Sequence, residues 1–139
     1  MSKAENRLQL MDRLGAVQLN HVWSWCAVNE TERKVYFSIW TDKRDRSTGP
    51  RSYVLQEPHW GVDERTGAYS AARVDHDAKF ELVFEKSYEP LGYFIEAKDP
   101  KGFPREIDHT VTSFVVTLKL SRNDNGDIIG TLLNRIELP

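Results

Sequence analysis

Leu19-Asn20-His21-Val22-Trp23-Ser24-Trp25-Cys26-Ala27-Val28, followed after a polar break by Val35-Tyr36-Phe37-Ser38-Ile39-Trp40, is the stretch whose reading decides the fold. Side chains alternate faces along an extended chain, so Trp23 and Trp25 point the same way. Aromatic and β-branched residues at this density predict strands over 19–28 and 34–41. Asn29-Glu30-Thr31-Glu32-Arg33 reads as the turn between them, and the two runs fold back as an antiparallel pair. In the second run Val35, Phe37 and Ile39 share one face and Tyr36, Ser38 and Trp40 the other. Large apolar groups on both faces predict a strand covered on both sides. Three of the four tryptophans thus fall on one hairpin, as a core wall or as an aromatic binding site.

Upstream, residues 3–13 carry Leu8, Leu10 and Met11, with Leu14 just beyond, in a short amphipathic helix with a weak start signal, ended by Gly15. Downstream, Thr41 to Pro50 is a loop closed by Ser47-Thr48-Gly49-Pro50, and Arg51 to Gln56 is a short strand. Prolines, glycines and charges leave Glu57 to Gly67 irregular, with His59-Trp60 as an isolated aromatic anchor. Residues 70–87 fit two periods, a helix through Ala71, Ala72, Ala78, Leu82 and Val83 or a strand through Ala78, Phe80, Leu82 and Phe84. Their helix formers and length decide for the helix. Pro90 and Gly92 read as breakers at the start of a buried strand from Leu91 to Ala97, and Asp99 to Pro104 is a loop. Thr112 to Leu120 is a strand, Arg122 to Asp127 a turn carrying Asn125-Gly126, and Ile128 to Leu138 a return strand broken at Gly130. Six or seven strands, two helices and hairpin connections predict one α+β domain over 1–139, built as a small curved or closed, mostly antiparallel β-barrel.

A 139-residue chain with 40% hydrophobic and 29% charged residues is globular and long enough to bury a core without metal or disulfide staples. Cys26 is the only cysteine, so no internal disulfide forms, and no Cys/His spacing suggests zinc. The absence of a secretory signal and of a membrane-length apolar run points to a cytoplasmic protein with no membrane partner. A net charge of −2 argues against bulk electrostatic coating of nucleic acid. A local patch exists nonetheless: Lys43, Arg44, Arg46 and Arg51 against Asp45 alone give +3 over nine residues.

Aromatic walls hold flat rings because every nucleobase presents a π-face. Trp23, Trp25, Trp40, Tyr53, Trp60 and Tyr69 are the candidates for such walls, each with core packing as the ordinary alternative. Lys43, Arg44, Arg46 and Arg51 would fix a phosphate backbone beside them, or form a solvated loop. Asp42 would accept from an exocyclic amine or cap the loop. Asn20 would read a base edge or make a turn. Asp75-His76-Asp77 reads better as a surface helix cap than as a metal site, since adjacent helical residues diverge. No nucleophile elbow, Gly-rich phosphate loop or other catalytic set is visible, which predicts a non-enzyme without cofactor or metal. Cys26, with no evident base, reads as buried and inert.

The run 19–28, the run 35–42 and Gly92-Tyr93-Phe94-Ile95-Glu96-Ala97-Lys98-Asp99 together resemble an N-terminal module found beside HNH endonuclease domains in bacterial defence proteins. Modules in that position are often PUA-like folds of the EVE and SRA type, which bind a modified base flipped from a duplex. The resemblance implies Trp23, Trp25, Trp40 and Asp42 as pocket residues, and a nuclease as a separate partner because no HNH motif follows here. Cys26 stands where that pattern has a small glycine. The first expectation is therefore a nucleic-acid-binding module, reading a modified base, with modified DNA favoured. The second is a protein-interaction or inhibitor protein, immunity or phage-derived. A small-molecule-binding barrel is third.

Overall fold

The computed structural model describes residues 6–18, 24–45, 48–101 and 106–138. Helix α1 spans Arg7–Arg13 and helix α2 Ala71–Phe84. The strands are β1 (Cys26–Asn29), β2 (Lys34–Trp40), β3 (Ser52–Gln56), β4 (Glu89–Ala97), β5 (Ile107–Thr110), β6 (Phe114–Arg122) and β7 (Ile128–Glu137). They form one mixed sheet in the order β1-β2-β4-β6-β7-β3, with β5 set against the second half of β4. The fold is α+β, with two helices among the described residues.

The aromatic hairpin forms where the sequence places it, with Cys26 opposite Phe37 and Asn29 opposite Lys34. The first strand is shorter than 19–28, because Ser24 and Trp25 lie outside the ladder and 19–23 lie outside the described residues. Alternation along β2 sorts its side chains into two cores. Val35, Phe37 and Ile39 pack with Phe80, Leu82 and Val83 of α2, while Tyr36 and Trp40 pack with Leu10 and Met11 of α1. Each face of the sheet thus buries its apolar side against a helix, as expected for a strand covered on both sides.

That arrangement corrects the barrel expectation: the sheet is open, neither closed nor strongly curled. A barrel gives every strand one interior face and one exterior face, whereas here both faces are interiors. The mostly antiparallel expectation is met except between β2 and β4, which run parallel from Lys34 opposite Glu89 to Trp40 opposite Ile95. Parallel neighbours need a crossover, and β3 with α2 supplies it between them in sequence.

Three glycine and proline readings change with the sheet. Pro90 and Gly92 lie inside β4 rather than breaking it, and Gly130 lies inside β7. A Cβ on Gly92 would stand 2.3 Å from Ile39 Cδ1, and one on Gly130 would stand 2.9 Å from Leu55 Cδ1. Both glycines admit a neighbouring side chain to the face rather than ending a strand. Strand β5 was not legible, and the loop expectation at 99–104 is described only through Lys101.

The α1 start carries more signal than its composition suggested. Gln9 N donates to Asn6 Oδ1 (2.8 Å) and Asn6 N donates to Gln9 Oε1 (2.9 Å), a reciprocal capping box. Residues 3–5 of the expected helix lie outside the described residues. At its other end Gly15 takes φ +68° and Asn29 Nδ2 donates to Leu14 O (3.0 Å), tying the helix to the β1–β2 turn. No helix among the described residues is long and apolar enough to cross a membrane.

Candidate functional site

The end of β2 gathers most of the sequence candidates. Trp40 closes the strand opposite Ile95, and Thr41 N still donates to Ile95 O (3.1 Å). The chain then turns through Lys43 N to Trp40 O (3.0 Å) and runs beside β3, with Val54 N on Lys43 O and Asp45 N on Ser52 O, both 2.8 Å. Arg44 pairs with Tyr53 as an isolated bridge and its guanidinium donates to Pro50 O. The loop is held further by Thr48 Oγ1 donating to Asp45 Oδ2 (2.6 Å).

Its cations are not equivalent. Lys43 Nζ lies 3.0 Å from Glu57 Oε1, so its charge is locally balanced. Arg44 and Arg51 are exposed and form no ion pair with a carboxylate among the described residues. Asp42 is exposed in the same turn. Asn20, Trp23 and Arg46 lie outside the described residues.

The indoles of Trp25 and Trp40, both half-buried, lie 5.6 Å apart at 49°. They pack against each other and leave no parallel slot between them. The Arg7 guanidinium lies 4.8 Å from the Trp25 ring centroid. Ser38 N donates to Trp25 O (3.3 Å), and Ser38 stands opposite Tyr93, so Trp25, Ser38 and Tyr93 make a row on the α1 face. Tyr93 is fully buried, and its hydroxyl faces Ser38 and Arg7. Burial pushes that phenol well above its ordinary range.

The remaining aromatic candidates sit on the other side of the sheet. Tyr53 meets Phe94 edge-on at 5.4 Å, and Trp60 packs on His76 at 5.0 Å. His76 in turn contacts Phe37 and Phe80 of the α2-face core. The six-ring wall is therefore divided: Trp25 and Trp40 lie on the α1 face, Tyr53 and Trp60 on the α2 face, and Tyr69 lies exposed under the Arg73 guanidinium.

Sequence reasoning missed a second polar arrangement, on α2. Asp75 and His76 are buried inside the helix, so the surface-cap reading of Asp75-His76-Asp77 is corrected. The helix turns these residues onto the sheet because Phe80, four residues beyond His76, anchors the same face. Gln56 links His76 Nδ1 (2.7 Å) to Asp77 Oδ1 (3.0 Å), and Arg73 Nε bonds both Asp77 oxygens at 3.0 Å. Arg73 Nη1 also donates to Pro58 O (2.9 Å) and Trp60 O (2.7 Å), fixing the irregular 57–62 segment onto the helix. The Ser70 start and the i,i+4 pair Arg73/Asp77 are the sequence signals that could have shown it. Asp75 is paired with Lys79 (2.7 Å) and lies near Cys26. Burial first, then the Asp75 charge, holds the Cys26 thiol well above its ordinary value, which suppresses the reactive thiolate. No group of three or more metal-ligating side chains comes together among the described residues. Comparison of the chain with protein-family models, with curated proteins and with solved structures gives no match.

Proposed function

We propose that the chain binds nucleic acid at the end of β2, with phosphates on Arg44 and Arg51 and a base on the Trp25–Trp40 surface. The observation that carries this reading is an indole pair at the end of β2 followed by a turn whose loop holds two exposed arginines, Arg44 bonded to Pro50 beside Arg51, that no described carboxylate neutralises. Arginines in that state recruit phosphate through counterion release, and a half-buried indole offers a stacking face. A modified base, with modified DNA favoured, remains the substrate of this proposal, and cleavage would fall to a separate nuclease partner.

Titration of tryptophan fluorescence with modified and unmodified DNA and RNA oligonucleotides at low and moderate salt tests it. Saturable quenching that weakens with salt, and a smaller salt slope in Arg44→Ala/Arg51→Ala, are expected. Quenching that ignores salt, or none at all, refutes the phosphate contacts.

One observation favours a protein-interaction role as the second reading. β3 pairs with β7 as far as Thr131, Leu132 N donates to Arg51 O (2.9 Å), and past it the outer edge of β7 has no strand partner among the described residues. Leu133 and Ile136 are 48% and 41% exposed there. An unpaired edge of this kind accepts an added strand, although Arg135 and Glu137 beside it discourage indiscriminate pairing. Sedimentation of the wild type and Ile136→Lys at micromolar concentration would show whether this edge joins two copies.

A further inference from the structure

Two edges of the sheet are bridged within the chain. Val17 and Val28 exchange backbone hydrogen bonds (both 2.9 Å) along β1. The 43–45 segment bonds to β3 through Val54 N on Lys43 O and Asp45 N on Ser52 O. The far half of β7 is built differently, because every residue from Leu133 to Glu137 is exposed and this stretch runs on past β3. Its inner side is fixed on β6, with Arg135 opposite Val116, Ile136 opposite Val115 and Glu137 opposite Phe114. Leu138 N donates to Ser113 O (2.9 Å), toward β6. Backbone groups alternate sides along a strand, so Ile136 also points its amide at β6, whereas Arg135 and Glu137 point theirs outward. Those outward-facing residues carry opposite charges, and their side chains form an ion pair on one face of the strand. The Arg135 guanidinium is braced on the Phe114 ring, 3.8 Å from its centroid. Ile136 projects from the opposite face.

We propose that this edge pairs with the same edge of a second copy of the chain, antiparallel about a two-fold axis through Ile136. The proposal rests on the reading of β7 as a strand-accepting edge and names its partner. The self-pairings that bring these outward amides together differ in their centre. Centring on Arg135 sets arginine against arginine, and centring on Glu137 sets glutamate against glutamate. Centring on Ile136 sets each Arg135 opposite Glu137 of the other copy, as hydrogen-bonded pairs of opposite charge. Opposite charges facing each other across a ladder stabilise it and like charges destabilise it, so the charges choose this register. Ile136 then meets its own copy as a non-hydrogen-bonded pair, whose side chains stand closest, and buries apolar surface that one chain leaves exposed. The edge is thereby complementary to itself, as a two-fold interface requires. The contact is short, so the dimer is weak and depends on concentration.

Sedimentation and amide exchange from micromolar to millimolar concentration test it on the wild type, Arg135→Glu, Glu137→Arg and the variant carrying both changes. The wild type should dimerise with concentration, and the Arg135 and Glu137 amides, open in dilute protein, should become protected. Each single variant should associate about tenfold or more weakly, because like charges then face each other. The double variant restores the alternation of charge and should recover the wild-type affinity. Ile136→Cys should form a disulfide-linked dimer on mild oxidation. Leu133→Cys should not, since this register holds the two Leu133 positions about 20 Å apart. Cys26 is buried and stays out of that reaction. A wild type that stays monomeric with open amides overturns the inference and leaves the edge reading standing, with the strand of another protein as its occupant. Association that the double variant fails to recover, or cross-linking as efficient at Leu133 as at Ile136, overturns the inference as well. Amides protected already in dilute protein show an edge covered within the chain, and then the inference and the edge reading both fail.

Discussion

Acidification from about pH 6.5 to 5 should cost the folded state about 2 kcal/mol through His76 alone. The hydrogen bonds around the ring fix its proton. Gln56 Nε2 donates to Asp77 Oδ1 (3.0 Å), so Gln56 presents its carbonyl oxygen to His76 Nδ1 (2.7 Å). A carbonyl only accepts, hence Nδ1 carries the proton of a neutral imidazole whose ring sits among Phe37, Trp60 and Phe80. Burial drives the His76 pKa from its usual 6.5 down to about 3; the Asp77 charge opposes this and the Arg73 charge adds to it, both less strongly. The folded pKa is the lower one, so between these two values the unfolded chain binds a proton that the folded chain refuses. Stability is fully present above about pH 6.5 and falls by about 1.4 kcal/mol per pH unit toward about pH 3. One and a half units give about 2 kcal/mol, roughly a thirtyfold change in the folded-to-unfolded ratio. Stopping at about pH 5 keeps ordinary carboxylates ionised and isolates the imidazole. Urea unfolding of the wild type and His76→Asn at about pH 7, 6 and 5 reads it, since midpoint and slope together give the free energy. The variant should be less stable at neutral pH and should lose this part of the pH dependence. Parallel pH profiles for the two proteins would refute the buried neutral imidazole.

Gly92→Ala should destabilise by about 1–3 kcal/mol, because the new methyl meets Ile39 Cδ1 and, at 3.1 Å, Leu118 Cδ1. Adding Ile39→Val should restore part of it, and strict additivity in the double-mutant cycle would contradict the contact. Arg73→Ala should cost about 2–3 kcal/mol by leaving two loop carbonyls without their donor and Asp77 with Gln56 alone. Trp60 emission should shift to the red as its segment loosens, and an unmoved spectrum would show that Arg73 does not hold it. Trp25→Ala should weaken oligonucleotide binding by about 1–3 kcal/mol if this ring stacks on a base. Unchanged affinity in a folded variant would remove Trp25 from the site.

The sequence by itself determined the local elements. Alternation fixed the strand at Lys34–Trp40 and its two apolar faces, Asn125-Gly126 fixed the last hairpin, and helix formers decided 71–84 against an equally regular strand pattern. These features depend on neighbours within a few residues, and the sequence carries such information directly. Only the tertiary structure decided which strands meet. The parallel pairing of β2 with β4 joins residues fifty-five apart in sequence, Lys34 to Glu89, and no local period encodes it. The same long-range pairing opened the sheet instead of closing a barrel, and its two buried faces divided the aromatic candidates between α1 and α2. It also turned Asp75 and His76 from expected surface groups into buried ones, because α2 must lay one face on the sheet and Phe80 chooses which. Residue types were thus legible as chemistry, while their grouping into sites waited on contacts made across the whole chain.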